Sequence, residues 1–156
     1  MNTKKVNLVY FLIFCVGLFV LNACSSTKFT GETRYFKDVK FGQLSIISGG
    51  YGKFKKEAAN NAIENAFKTI FLYGVPNTNQ SSPLLGKNAQ SVFDSNKSFF
   101  ENFLLKEKEQ FVQTKHIRGF KFTNGKSPSV EVELLINLKA LRTHLEENKI
   151  IRKFGL

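Results

Sequence analysis

The chain has 156 residues, of which 23 are basic and 12 are acidic, so its formal net charge is +11. The length fits one domain with or without an extension, and a hydrophobic content of 42% excludes a disordered polyelectrolyte. Two cysteines cannot build a disulfide-dense scaffold and two histidines cannot build a histidine-rich metal site. The composition therefore predicts no metal ligands and no cofactor.

Residues 1–23 have the three parts of a secretory signal peptide. Lys4 and Lys5 give a positive start, and an almost wholly apolar run follows from Leu8 to Leu21. The run is shorter than the roughly 20 residues that a membrane-spanning helix needs, and it suits the apolar core of a signal peptide. The alternative is an uncleaved N-terminal membrane anchor.

The next feature is a short motif at the end of the apolar run, Leu21-Asn22-Ala23-Cys24. It resembles the lipobox of bacterial lipoproteins, in which a leucine and two tolerant residues precede a cysteine. The resemblance implies that the Cys24 thiol receives a diacylglyceryl group, that the chain is cut before this residue, and that the new amine is acylated. Cysteine suits this chemistry because its thiolate is a strong nucleophile, and several acyl chains together anchor a protein stably.

The two residues after the cysteine bear on location. Ser25 and Ser26 stand where the sorting rules of lipoproteins place an aspartate in proteins kept at the inner membrane. The resemblance therefore implies a cell-envelope protein that is lipid-anchored in the outer membrane and faces the periplasm.

The charge predicts a partner at a membrane. Cleavage would remove Lys4 and Lys5, so the charge would fall from +11 to +9. The candidate partners of a basic domain held there are anionic lipid headgroups, an acidic glycan or an acidic protein surface, and no nucleic acid is predicted. The alternative is that the charge only confers solubility.

The predicted organisation is a polar tether over residues 24–33 and a single domain over residues 34–156. A strand is predicted at 41–50. The glycine-rich segment 49–53 that follows predicts a strand-to-helix turn with glycines at positive φ. The alternative is that its backbone N–H groups cradle a phosphate.

The strongest predicted helix covers residues 53–73. Its apolar residues recur at helical period, and four alanines in this stripe would let the helix lie close to a sheet. Asn61 and Asn65 fall on the predicted solvent face.

The segment 74–90 predicts a long loop, since it holds two prolines and many Asn, Gln and Ser residues. Such loops are uncommon in a compact domain unless they have a function or are disordered. A helix is predicted at 92–108, with Asp94 or Ser95 as its cap. The loop is the candidate partner-binding surface, with Gly74, Val75, Pro76, Asn77 and Asn79 as candidate contact residues.

Two strands, at 110–122 and 130–138, are predicted to form a hairpin around an Asn124-Gly125 turn. The second strand alternates strictly between apolar and other residues. In the first, a bulge at Gly119 would decide which face of the sheet Phe120 occupies.

A last helix is predicted to follow, capped by Asn137, and the apolar tail 150–156 is predicted to dock on the domain. The order of elements is β-α-loop-α-β-β-α. This order predicts an α+β domain with helices on one face of a small antiparallel-rich sheet.

Catalysis has little support in the sequence. His116 is predicted to be exposed on a strand and His144 on the solvent face of a helix, and no nucleophile matches them. Glu131 and Glu133 share a strand face, as paired catalytic carboxylates can, although the solvated side of an amphipathic strand gives the same pattern. The enzymatic alternative is therefore a cell-wall or glycan-acting enzyme that uses Glu131, Glu133 or Asp94.

Three stretches carry a further resemblance: residues 50–62, which run Gly-Tyr-Gly-Lys to Ala-Ala-Asn-Asn-Ala, residues 74–76 and residues 141–155. They are similar to segments of a group of small lipoproteins of Gram-negative bacteria. The element order also resembles the N-terminal domain of flagellar assembly protein T. The resemblance implies a non-enzymatic binding or scaffolding module with no catalytic residue to transfer. A third interpretation is a direct binder of anionic membrane surfaces.

Overall fold

The computed structural model describes residues 33–121 and 128–153, which form a four-stranded antiparallel sheet with helices on one face. This confirms the predicted α+β class. The strands are β1 (Thr33–Tyr35), β2 (Gln43–Tyr51), β3 (Val112–Lys121) and β4 (Ser129–Asn137), in the spatial order β1-β2-β4-β3. The helices are α1 (Lys55–Leu72), α2 (Ala89–Ser95), α3 (Lys97–Asn102) and α4 (Leu138–Glu147), and a π-helical turn (Phe103–Glu107) and a 3₁₀ turn (Lys108–Phe111) join α3 to β3.

Several predicted features lie outside the described residues: the signal peptide, the lipobox and the Asn124-Gly125 turn. Strand β1 is an addition to the predicted elements. It begins at Thr33, the last position of the predicted tether, whose hydroxyl oxygen lies 2.8 Å from that of Ser48 in β2. Three residues are too few to show a periodic pattern, so the sequence could not indicate this strand.

The core lies between the sheet and its helices. Strand β4 alternates as predicted, and Val132 and Leu134 on its inner face are fully buried. Ile46 of β2 pairs with Leu134 across the antiparallel ladder and is also fully buried. The apolar positions of β2 and β4 therefore form one surface, on which α1 packs.

Helix α1 lies directly on β2, as its alanines predicted. A Cβ atom added to Gly50 would lie 2.3 Å from the Ala58 carbonyl oxygen, and one on Gly52 would lie 2.6 Å from the Ala58 amide nitrogen. The prediction of a turn with positive φ here is wrong, because Gly50 is inside β2 and neither glycine has positive φ. These glycines are needed for space, not for backbone conformation.

At Gly49 and Tyr51, past the last residue of β2 that pairs with β1, side chains of α1 cover the edge of β2. Asn65 donates from its amide to the Gly49 carbonyl at 2.9 Å, and Asn61 donates to the Tyr51 carbonyl at 2.7 Å. Asn65 is 8% exposed, so its prediction as a solvent-face residue is wrong. The two amides supply the hydrogen bonds that a neighbouring strand would otherwise give.

The helix predicted at 92–108 is broken into shorter pieces. Asn96 lies between α2 and α3, and its amide donates to the Val92 carbonyl at 2.8 Å, which offers the backbone an alternative to continuous helix. The predicted caps Asp94 and Ser95 lie inside α2, so that prediction is wrong. The later turns bury Lys108, whose ammonium lies 3.4 Å from the Glu64 carboxylate.

Strands β3 and β4 pair antiparallel as predicted, and β3 takes the bulged alternative. The register shifts between Ile117 and Gly119, so Ile117 faces Val132 and Phe120 faces Val130 on the same side of the sheet. Beyond these strands, the predicted cap of α4 is confirmed, since the side-chain Oδ1 of Asn137 accepts from the Ala140 N–H at 3.0 Å. The described part of the tail is docked, with Ile150 and Ile151 packed against the core.

Candidate functional site

The sheet has two ends with different surfaces. Strand β2 runs from Gln43 to Tyr51, which separates its ends by about 26 Å. Thr33 pairs with Ser48, so the chain enters the fold near the Tyr51 end, which we call the tether end. The Asn79 amide donates to the Gln43 carbonyl at 3.3 Å, so the segment after α1 lies at the opposite, distal end.

The segment 74–90 has no long helix, yet much of it belongs to the core. Leu84 donates from its N–H to the Ile70 carbonyl at 2.9 Å, and Leu84, Leu85 and Val75 are at most 6% exposed. Gly74 has φ of +77°, and an added Cβ would lie 2.5 Å from the Ser81 carbonyl oxygen. This segment is therefore a fixed part of the fold.

The five predicted contact residues divide into two groups. Gly74 and Val75 are buried and offer no side-chain surface to a partner. Pro76, Asn77 and Asn79 are exposed, and Asn77 adopts positive φ at the tip of the turn. The candidate contact residues that remain are therefore Pro76, Asn77 and Asn79.

A small cleft of about 100 Å³ lies at the distal end, between this turn and the segment that follows β1. Loss of solvation raises the pKa of the Tyr35 phenol, and its hydrogen bond to the Asp38 carboxylate raises this pKa further. The lining is mostly polar and contains Asn79 among the predicted contact residues. Its members are Tyr35, Lys37, Asp38, Val39, Gln43, Leu44, Ser45, Thr78 and Asn79.

An exposed phenylalanine stands beside the cleft. Phe41 is 97% exposed and lies on the turn closed by the hydrogen bond from the Gln43 N–H to the Lys40 carbonyl, 3.1 Å. The turn is fixed to α4, because the Gly42 carbonyl accepts from the Lys139 N–H at 3.0 Å. An exposed aromatic ring on a turn whose backbone is held in this way is a common anchor of protein interfaces. No sequence signal marked this residue, because Phe41 falls within the strand predicted at 41–50.

The carboxylates of the enzymatic alternative do not come together. Glu131 lies 2.8 Å from the Arg34 guanidinium and Glu133 lies 3.9 Å from the Lys37 ammonium, on the face of the sheet away from the helices. Asp94 lies in α2, in the helical layer, where it accepts a hydrogen bond from the Gln90 amide. The sheet therefore separates Asp94 from the two glutamates, which already have cationic partners.

The two histidines differ in environment. His116 is exposed on β3, as predicted. His144 is not on a solvent face: its ring centroid lies 5.2 Å from that of Phe111, and its Nε2 lies 3.0 Å from the Glu107 carboxylate, off the line of a hydrogen bond. The apolar surroundings of α4 explain the difference, because three phenylalanine rings contact His144.

The glycine-rich segment at the tether end does not offer a phosphate cradle. The Gly52 N–H donates to the Pro128 carbonyl at 3.1 Å, and the Lys53 N–H donates to the Glu57 carboxylate at 2.7 Å. Both donors are therefore occupied, the second by an anion of the chain itself.

Within residues 33–121 and 128–153, no group of three or more His, Cys, Asp or Glu residues is placed to hold a metal ion. No helix in these ranges is long and apolar enough to cross a membrane. Comparison of the chain with protein-family models, with curated proteins and with solved structures finds no match in any of the three. The likeness to small lipoproteins of Gram-negative bacteria therefore stays a prediction.

Proposed function

We propose that the protein is a lipid-anchored, non-enzymatic binding module of the cell envelope. In this proposal the lipid on Cys24 holds it in the outer membrane facing the periplasm, and its distal end captures an envelope protein. The observation that carries the proposal is the distal surface, where Phe41 and Asn79 flank a polar cleft on rigid turns. Turns whose backbone is already fixed lose little backbone entropy on binding, which favours a recognition surface.

The size of the cleft favours a protein over a free small molecule. At about 100 Å³ it is well below the roughly 300–1,000 Å³ of sites that enclose drug-sized ligands. It can accept one protruding polar side chain, while the exposed Phe41 ring contacts the surface around it. A glycan is the other candidate partner, because the hydroxyl, amide and carboxylate groups of the lining can bind sugar hydroxyls.

The lipid anchor is tested by comparing the two cysteines. Cys24→Ala is expected to abolish incorporation of an alkyne-labelled fatty acid completely, because the motif at residues 21–24 would hold no thiol to receive the diacylglyceryl group. Cys15→Ala is the matched control, since it also removes a thiol but leaves the motif at residues 21–24 intact. Labelling of Cys24→Ala, or its loss in Cys15→Ala, would contradict the anchor.

The distal surface is tested by site-specific crosslinking in intact cells. A photo-crosslinking residue at Phe41 is expected to capture a partner, and Asn79→Ala in the same chain is expected to reduce the yield by about tenfold, as for a hot-spot residue. A crosslinker at Ser98, which is exposed on α3, is the matched control and is expected to capture no such partner. Point variants are used because deletion of the segment would remove Val75, Leu84 and Leu85 from the core.

Two results would contradict this site. One is an equal yield of the Phe41 crosslink with and without Asn79→Ala. The other is capture of the same partner by the crosslinker at Ser98. A product that is a glycan rather than a protein would favour the second candidate partner.

A further inference from the structure

The tether end carries an exposed patch of aromatic and basic side chains. Phe54 is 73% exposed and Tyr51 is 43% exposed, although both are large and apolar. Lys53, Lys55 and Lys56 lie beside them and are also exposed. We call these five residues the basal patch.

Among the described residues, no carboxylate neutralises the lysines of the basal patch. Their ammonium groups make no ion pair with any residue of the described ranges. The nearby acidic residue of the first turn of α1, Glu57, accepts a hydrogen bond from the Lys53 backbone. The patch thus combines positive charge with apolar rings, which is the chemistry of surfaces that bind anionic lipid headgroups.

The length of chain between Cys24 and the fold allows the patch to reach the membrane. Thr33 is the ninth residue after Cys24, and nine residues of fully extended chain span at most about 32 Å. Thr33 pairs near the tether end of β2, so this end of the sheet lies within reach of a membrane that holds the Cys24 lipid. The distal end of β2 lies about 26 Å from its tether end.

We infer that the basal patch lies on the anionic lipid surface into which the Cys24 lipid is inserted. Phe54 and Tyr51 then enter the headgroup region, and the three lysines contact lipid phosphates. This contact orients the domain with its cleft away from the membrane, where a partner can reach it. The inference rests on the proposed lipid anchor and adds the surface that anchors the folded domain beside it.

Self-association through the same patch is disfavoured by charge. A symmetric pair of copies would bring Lys53, Lys55 and Lys56 of one chain against the same three residues of the other, and like charges brought together repel. The anionic lipid surface supplies the opposite charge, so it is the occupant that the patch fits.

The absence of tryptophan from the chain allows a direct test. Phe54→Trp and Phe41→Trp each introduce one fluorophore at an exposed position, at opposite ends of β2. Each full-length, lipidated variant is purified in detergent and reconstituted into vesicles of phosphatidylcholine and phosphatidylglycerol that contain lipids brominated near the headgroup. We expect Phe54→Trp to lose most of its emission to bromine quenching and Phe41→Trp to lose almost none.

The contribution of the basal-patch lysines to membrane contact is tested in the Phe54→Trp variant. Lys55→Glu with Lys56→Glu is expected to abolish most of the quenching, whereas Lys87→Glu, which changes an exposed lysine of the segment 74–90, is expected to leave it unchanged. Circular dichroism spectra equal to that of the parent show that each variant is folded.

The anchor is checked separately, by flotation of the protein with the vesicles and by mass spectrometry for the added mass of the lipid. If both support the anchor, equal quenching at the two positions, or none at either, would overturn the inference. A concentration-dependent blue shift of Phe54→Trp emission without vesicles would also overturn it, in favour of self-association. Failure of the protein to float, together with the absence of the lipid mass, would overturn both the anchor and the inference.

Discussion

Replacing Gly50 with alanine is expected to lower the free energy of unfolding by about 3 kcal/mol, because overpacked cores lose this much when the neighbours cannot move aside. The new Cβ would lie 2.3 Å from both the Ala58 carbonyl oxygen and the Ala62 amide nitrogen. These are backbone atoms of α1, so no side-chain rotation relieves the overlap, and the helix must move off the strand. Urea unfolding followed by circular dichroism measures the loss.

Gly119→Ala is the matched control for this substitution. Gly119 also lies in a strand, but a Cβ added there meets no heavy atom within 4 Å, and its φ is not positive. We expect its free energy of unfolding to change by no more than about 0.5 kcal/mol. Similar losses for Gly50→Ala and Gly119→Ala would show that close packing of α1 on β2 is not the reason for the glycine.

The second large effect is expected at the centre of the phenylalanine cluster. Phe71 is fully buried, and its ring centroid lies 5.2 Å from that of Phe100, 5.4 Å from that of Phe103 and 6.1 Å from that of Phe67. Phe71→Ala removes the ring that these three share and leaves a cavity, so the free energy of unfolding is expected to fall by about 3–5 kcal/mol. Urea unfolding is again the measurement.

Phe41→Ala is the matched control, because it makes the same chemical change at a ring that is 97% exposed. We expect it to change the free energy of unfolding by no more than about 0.5 kcal/mol. A loss below about 1 kcal/mol for Phe71→Ala, small for a buried phenylalanine, would mean that the aromatic cluster does not stabilise the fold.

The sequence predicted the elements that have a clear period. The alternation of β4 and the apolar stripe of α1 each identified a buried face, and the structure places both in the core. Asn137 was predictable as a cap because its side chain acts on the backbone three residues later. The sequence did not indicate β1, which has three residues, or the contact of Asn65 with Gly49, which joins residues 16 positions apart.

The candidate site was only partly predictable, for a similar reason. The composition of residues 74–90 predicted a loop, but it could not show that Val75, Leu84 and Leu85 enter the core, because their spacing defines no face. The role of Asn79 in the cleft depends on its approach to Gln43, 36 residues earlier in the chain. Such long-range contacts follow from the packing of α1 on the sheet and leave no local pattern.

The three-residue strand β1 has a mechanical consequence. This strand is where the described fold meets the tether, so a force applied through the proposed lipid on Cys24 would load the pairs of β1 with β2 first. The Gly49 and Tyr51 carbonyls of β2 are bonded to Asn65 and Asn61, not to β1. Separation of β1 from β2 under tension would therefore lengthen the tether. Asn65 and Asn61 would still bond the neighbouring part of β2, so β1 would detach before the core unfolds.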